Sequence, residues 1–323
     1  MDQLDHDPAR EPEQHSTGPI SRRTVLRGAA AGAAGATVLG TATGAAQPAD
    51  GDRDRGHRDR VPVEQISIQL YTLRNQLQID LPGTLAALRQ IGYRRVEHAG
   101  FVGRTAAEFR AALDAAGIRA TSGHSSIPQP FDAAAWQATL ADANTIGQTY
   151  IVHPFFGVDA GGPIRSAAVY RAFARDLNRA GALASQAGLR FGYHNHQNEF
   201  FRMTDEPDTT GFDILAEETD PRLVHFELDL FWSFRGARDP VDVIHANRGR
   251  VRQVHVKDLN NAGSFDDPGR GLIDFGRIFA HAREAGLVEY IVERDDAGSP
   301  PRTPADALVT ARVGYEYLRA LRF

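Results

Sequence analysis

The segment Tyr193-His194-Asn195-His196, followed by Glu199, places two imidazoles and a carboxylate in one short run. Further on, Glu227 and Asp229 stand two apart, His255 and Lys257 stand two apart with Asp258 next, and Glu293 follows the apolar pair Ile291-Val292. Side chains two apart on a strand share a face. Each of these runs therefore offers a polar pair to one side, and His194 and His196 join them if their strand extends that far. Imidazole mixed with carboxylate suits Mn²⁺, Zn²⁺, Co²⁺ or Fe²⁺ better than an all-oxygen Mg²⁺ or Ca²⁺ cage does. The pattern points to one mononuclear divalent-metal site, with Mn²⁺ the first expectation and Co²⁺, Zn²⁺, Fe²⁺ or Mg²⁺ the alternatives.

Those residues need elements that bring them together. After Val61, short β-branched or aromatic runs alternate with longer Ala-rich stretches, the order of βαβ units and a parallel sheet. The expected strands are Ile66–Tyr71, Arg94–His98, Arg119–His124, Thr149–His153, Arg190–His194, His225–Asp229, Val251–His255 and Glu289–Glu293. Eight strands close a (β/α)8 TIM barrel. An open doubly wound sheet is the alternative, but no Gly-x-Gly-x-x-Gly follows the first strand and no Walker loop is present. Gly92, Gly117, Gly147, Gly188 and Gly286 each close a helical run just before a strand, as the left-handed C′ position requires. In Arg104–Ala116 the residues Ala106, Phe109, Leu113 and Ala116 form one apolar face. Pro82, Pro240 and Pro304 mark helix starts. The eight strands end in Tyr71, His98, His124, His153, His194, Asp229, His255 and Glu293. In a barrel of this kind all eight line the mouth where active sites form.

From about Gln65 to Phe323 the chain resembles the sugar phosphate isomerase/epimerase family, the xylose isomerase-like TIM barrels, in their YHNH subgroup. The resemblance rests on SIQLYTLR at 67–74, GYHNHQNEF at 192–200, ELDLFW at 227–232, RVRQVHVKDL at 250–259, GRGLIDFGRIF at 269–279 and IVERD at 291–295. It implies one divalent cation held from strands five to eight by a Glu, an Asp, a His and a second Glu. Asp229, His255 and Glu293 match the last three, and His194 stands where the first Glu is usual, with His196 and Glu199 as alternatives for that position. It also implies a sugar isomerase/epimerase-like enzyme that removes a proton α to a carbonyl. In the epimerases the two ligand glutamates are the acid/base pair, so a chain with one of them fits one-sided abstraction better. The alternative activity is thus a lyase or dehydratase acting on 3-oxo-glycosides or inososes by β-elimination.

Within that frame Glu293 serves as ligand and base, His153 or His196 as a separate base, and Lys257 as a partner for the enolate oxygen. Tyr71, His124, Trp232 and Arg270 are the expected substrate contacts. Trp232 belongs to a set with Phe155, Phe156, Phe231 and Phe234 that can stack on a sugar ring, and Arg270 lies on the loop Asp266–Gly271. An endonuclease IV-like phosphodiesterase is disfavoured, because Asp229 is followed by Leu230, Phe231 and Trp232 where that family places another histidine. A non-catalytic exported sugar-binding or partner subunit is the rival of another class. A broken ligand set would mark it.

The 323 residues carry 36 Lys+Arg against 41 Asp+Glu, 42% hydrophobic residues and no cysteine. The absence of cysteine excludes disulfide scaffolds, Cys-ligated zinc modules and thiol nucleophiles. A formal charge of -5 provides no basic field for nucleic acid. Arg22-Arg23, a weakly apolar Ala/Gly run and small residues up to Ala46 give residues 1–46 the order of a twin-arginine export signal. A charged linker over 47–64 and a barrel over 65–323 follow. The expected product is a periplasmic or extracellular protein with no membrane span in its mature form, a small carbohydrate substrate, and a homo-oligomer left open. Outside the cytoplasm a free or oxidised sugar, a cyclitol or a glycoside is a more natural substrate than a sugar phosphate.

Overall fold

The computed structural model describes residues 59–323. The export signal expected over residues 1–46 and the expected linker up to residue 58 lie outside the described residues. Eight parallel strands form the barrel: β1 (Ile66–Ile68), β2 (Arg95–His98), β3 (Arg119–His124), β4 (Tyr150–His153), β5 (Arg190–His194), β6 (Val224–Asp229), β7 (Val251–Val256) and β8 (Glu289–Val292). From β2 to β8 each strand pairs with its sequence neighbour, and β1 pairs with β8. A parallel bridge between Gln69 and Glu97 closes the remaining gap between β1 and β2. The fold is a (β/α)8 TIM barrel.

The first strand is shorter than its sequence suggests. It stops at Ile68, and Leu70–Leu73 form a single 3₁₀ turn. The Gln69 side chain accepts the Tyr71 N–H at 3.0 Å and so caps that turn, which competes with extension of the ladder. Tyr71 is therefore a turn residue and not a strand end. The fifth strand ends at His194, as its sequence suggests, and does not extend to His196. Asn195 Oδ1 takes the Asp229 N–H at 3.0 Å, and Glu199 Oε1 takes the His196 N–H at 3.1 Å. His196 thus sits in a turn beyond the strand.

Helices cover the outside. Thr105 and Glu108 form a reciprocal capping box ahead of the helix Ala106–Ala116, which buries Ala106, Phe109 and Leu113. The longest helix, Ala167–Gln186, buries Tyr170, Phe173, Ala174, Leu177, Gly181 and Ala184 at helical spacing. Gly181 is needed there because a Cβ would stand 2.7 Å from the Leu223 carbonyl oxygen. The glycines at 117, 147, 188 and 286 have φ between +67° and +82°, while Gly92 opens further, to +138°.

The apolar core lies between strands and helices, whereas the barrel interior is unusually polar. Along β6, Val224, Phe226 and Leu228 belong to the apolar cluster and alternate with buried His225, Glu227 and Asp229. Interior polar groups satisfy one another, as burial demands. Thr121 donates to Glu289 at 2.5 Å, Gln253 donates to Glu289 at 3.1 Å, and Gln69 donates to Glu97 at 2.8 Å. The β2–β3 ladder shifts register between Val96 and Glu97, and the β6–β7 ladder between Phe226 and Glu227. Such irregularities re-aim side chains, and both fall beside glutamates that face the mouth.

Candidate metal centre

Three parallel strand ends deliver the metal-type donors. Asp229 ends β6, His255 is the penultimate residue of β7, and Glu293 follows β8, where its N–H still bonds the Val256 carbonyl at 3.2 Å. Single donor atoms of these three residues all lie within 4.8 Å of one another. His255 Nδ1 is 2.6 Å from Glu293 Oε2 and 3.9 Å from Asp229 Oδ2. The same Asp229 oxygen is 3.8 Å from His194 Nε2. Of the residues that the resemblance suggests as ligands, Asp229, His255 and Glu293 form one donor group, and His194 reaches it through Asp229 while also belonging to a second buried donor group with His124, Glu227 and His255.

Beneath them lies a second layer. Glu227 Oε1 is approached by His124 Nε2 at 2.7 Å, His194 Nδ1 at 3.0 Å and His255 Nε2 at 3.0 Å. Glu97 Oε1 is 2.8 Å from His255 Nε2 and 3.2 Å from His124 Nε2, and Ser122 donates to its other oxygen at 2.5 Å. These two fully buried carboxylates fix the imidazoles. With Nδ1 of His194 held by Glu227, its Nε2 turns toward Asp229; with Nε2 of His255 held below, its Nδ1 turns toward Glu293. Carboxylates behind metal-binding histidines set tautomer and orientation in this way.

The electrostatics follow from crowding. Burial would raise the Glu227 and Glu293 carboxyls, but the neighbouring cations outweigh it and hold both well below the ordinary range. For Glu227 these are His255 and His124, and for Glu293 they are Lys257 and His255. Glu97 is pushed up by burial and by Glu227. His255 is held well above its usual value despite burial, because Glu227 and Glu293 flank it. Burial, reinforced by His255, brings His194 down to about 4.

Lys257 is buried with its Nζ 2.8 Å from Glu293 Oε2, 2.8 Å from Asp295 Oδ1 and 3.1 Å from Asp229 Oδ2. One ammonium thus serves three carboxylates. Burial, with the neighbouring Glu293 and Asp229 charges, pushes Asp295 up against the pull of that ammonium, to about 6. Glu227 Oε2 is buried with no hydrogen-bond donor, and Asp229 Oδ2 has the ion-pair contact with Lys257 but no hydrogen bond. Under-compensated carboxylate oxygens beside outward-turned imidazole nitrogens are what a divalent cation requires, so the residues present fit one.

The other sequence candidates fall on both sides of the boundary. His124 is inside, stacked 5.4 Å from His255. His196 lies beside His194, with ring centroids 5.0 Å apart, and also against Phe155 and Trp232. Its Nδ1 is buried without a partner, and burial holds the ring well below its usual pKa. Trp232 forms a roof, its ring centroid 5.3 Å from Lys257 Nζ, and its backbone N–H donates to Asp229 Oδ1 at 2.8 Å. Tyr71 stands at the rim, where Arg74 packs over its ring and donates to the Asp295 carbonyl at 2.7 Å.

His153 is not in the cluster. Its Nδ1 accepts the Ile127 N–H at 2.9 Å and its Nε2 donates to the Phe155 carbonyl at 2.8 Å, so both nitrogens hold loops. His98 faces outward onto Phe101 and Phe109 and bonds Gln148 at 2.7 Å. Glu199 takes the Tyr193 hydroxyl at 2.5 Å and is pushed up to about 7 by burial, bracing the turn that carries His196. Arg270 is exposed on a loop whose Gly269, Gly271 and Ile273 N–H groups bond Asp258, with Gly269 against Tyr317. No contact among the described residues joins Arg270 to the cluster. Sequence reasoning missed Glu97 and Asp295, and the orienting place of Glu227. The RVEH run held the signal for the first: if Glu97 faces in, His98 faces out.

Residues 85–313 match the family described as Xylose isomerase-like TIM barrel. An inosose dehydratase of Geobacillus kaustophilus is 31% identical over 166 residues, 45% of this chain and 50% of that protein. The chain thus spans about half the length of the curated relatives it matches. A sugar phosphate isomerase/epimerase from Parabacteroides distasonis superposes with a TM-score of 0.68 at 26% identity, covering 80% of this chain and 95% of its own. The IOLI protein, solved with a bound zinc atom, shares the fold at a TM-score of 0.60 and 14% identity, covering 78% of this chain and 99% of its own.

Proposed function

This chain belongs to the xylose isomerase-like TIM barrel family, and on that footing we propose that it is a divalent-metal-dependent lyase acting on a non-phosphorylated keto-sugar or keto-cyclitol. The reaction removes a proton α to the carbonyl and expels the β-hydroxyl as water, leaving an α,β-unsaturated ketone. One observation carries the reading: His194, Asp229, His255 and Glu293 converge beside Lys257 and the unpartnered Nδ1 of His196. The likeness to inosose dehydratases supports the elimination.

His194, Asp229, His255 and Glu293 would hold the cation. When bound it supplies Lewis acidity toward the substrate carbonyl and an adjacent hydroxyl. His196 takes the α-proton at Nδ1, because burial keeps that ring neutral and its lone pair free. The Lys257 ammonium offsets the charge that develops on the enolate oxygen. Asp295, with its carboxyl at about 6, donates a proton to the departing hydroxyl so that water leaves. Trp232 and Phe155 exclude solvent from that face. The export expected from Arg22-Arg23 is part of the proposal and favours a substrate without phosphate.

The likeness to a sugar phosphate isomerase/epimerase favours a second reading, proton return to the same carbon skeleton without loss of water. Proton NMR in D2O with the Mn²⁺-loaded protein and a panel of inososes, 3-oxo-glycosides and ketohexoses separates the two. Loss of the α-proton signal with new vinylic signals supports elimination. Deuterium at the α-carbon with the hydroxyls intact supports isomerisation, and a folded, metal-loaded protein that leaves every α-proton in place refutes both.

A further inference from the structure

A second cluster of metal-type donors lies at the opposite end of the barrel and shares no residue with the mouth. His245 sits in the last turn of the helix Pro240–Ala246, which leads into β7. His281 and Glu284 sit three apart at the short helix Ala282–Ala285, which leads into β8 and ends at left-handed Gly286. Turns that lead into strands occupy the face away from the catalytic mouth, so the cluster lies on the barrel's underside.

Three atoms define it. His245 Nε2 is 3.3 Å from His281 Nδ1, His245 Nε2 is 3.4 Å from Glu284 Oε2, and His281 Nδ1 is 3.2 Å from the same Glu284 oxygen. They form an almost equilateral triangle. Zinc bonds imidazole nitrogen and carboxylate oxygen at about 2.0–2.1 Å in a tetrahedron, which sets neighbouring ligand atoms roughly 3.3–3.4 Å apart. An octahedral ion at the same bond lengths would need about 2.9 Å. The observed sides fit four-coordination. The arrangement is also braced, since Arg248 Nη2 makes an ion pair with the other oxygen of Glu284 at 2.9 Å and the Gly249 N–H bonds the Glu284 backbone carbonyl at 2.8 Å, anchoring the end of its helix. Outer partners of this kind orient a ligand before the ion arrives.

We propose that His245, His281 and Glu284 form a surface site for a tetrahedral transition-metal ion of the zinc class, with water in the fourth position. The bound ion ties the turn before β7 to the turn before β8 and stabilises the underside of the barrel. Both histidines are partly exposed, so the ion enters from solvent.

The test uses the full, tag-free chain stripped of metal and titrated with Zn²⁺ against a chromophoric chelator, alongside the double variant H245A/H281A and the mouth variant D229N. The expected result is two classes of zinc site in the wild type, with the double variant losing one and D229N weakening the other. Titration with Co²⁺ should give intense visible absorption from a tetrahedral centre that disappears in H245A/H281A. Circular dichroism checks that each variant folds, and turnover should be unchanged in the double variant. Equal zinc stoichiometry and affinity in wild type and H245A/H281A would overturn the proposal. Binding at this cluster only above about 1 mM would do the same, marking adventitious association. Loss of the mouth class alone bears on the proposed enzyme and not on this site.

Discussion

Replacing Glu227 with Gln isolates the layer beneath the proposed metal. Glu227 is fully buried, and its Oε1 receives imidazole nitrogens from His124, His194 and His255 at 2.7, 3.0 and 3.0 Å. The amide keeps the volume and one acceptor oxygen but removes the charge that orients two of the four proposed ligands. Loss of one outer carboxylate costs about 10–100-fold in metal affinity, or about 1.4–2.7 kcal/mol at 1.4 kcal/mol per decade. Because both His194 and His255 lean on this group, the upper half of that range is expected. Glu199→Gln is the matched control: an equally buried carboxyl that bonds Tyr193 and the His196 N–H but no imidazole nitrogen. It should shift affinity by less than about threefold. Competitive titration of Mn²⁺ or Zn²⁺ at pH 7.5, with circular dichroism to confirm folding, reads both variants. Wild-type affinity in folded Glu227→Gln, or an equal loss in Glu199→Gln, would refute the reasoning.

Three further outcomes follow from the same geometry. Glu289 is buried in the barrel interior, and burial raises its carboxyl to about 7 from 4.5. The folded state therefore holds a proton that the unfolded chain has released between those values, and that stability is present at low pH and lost as pH rises through about 7. Urea denaturation of Glu289→Gln should accordingly gain roughly 2 to 3 kcal/mol on the wild type between pH 5 and pH 8.5, whereas a pH-independent difference would contradict this. A Cβ at Gly123 would stand 2.0 Å from His98 Nε2, so Gly123→Ala should lower unfolding free energy by about 1–3 kcal/mol by overpacking; an unchanged urea midpoint would show that His98 moves freely. Trp232→Phe removes ring area over Lys257 and His196 and should lower kcat/KM about tenfold, near 1.4 kcal/mol, while the far-UV spectrum stays the same.

The strand ends were legible because period-two alternation and βα punctuation are local signals. Asp229, His255 and Glu293 lie together because parallel strands bring successive C-terminal ends to one rim. What escaped the sequence depends on nonlocal detail. Glu97 and Glu227 face inward by strand alternation, but that they meet the same imidazoles depends on the register of neighbouring ladders, which shifts beside both and which nothing local in RVEH or VHFELD marks. Tyr71 left the strand because a side chain at Gln69 captures its N–H. His98 and His153 have the residue type and position of mouth groups, yet Gln148 claims Nε2 of His98 and loop backbone claims both nitrogens of His153. Asp295 lies three residues past the eighth strand, and its meaning appears only once Lys257 is seen to reach it.

The most direct test of the central claim is metal content at the mouth. In the H245A/H281A background, which removes the underside cluster, the chain loaded with Mn²⁺ and desalted should carry one ion per chain by elemental analysis. Adding Asp229→Asn and Glu293→Gln should abolish that ion without unfolding the barrel. A folded parent that retains no stoichiometric divalent metal, or a quadruple variant that keeps it, would contradict the account.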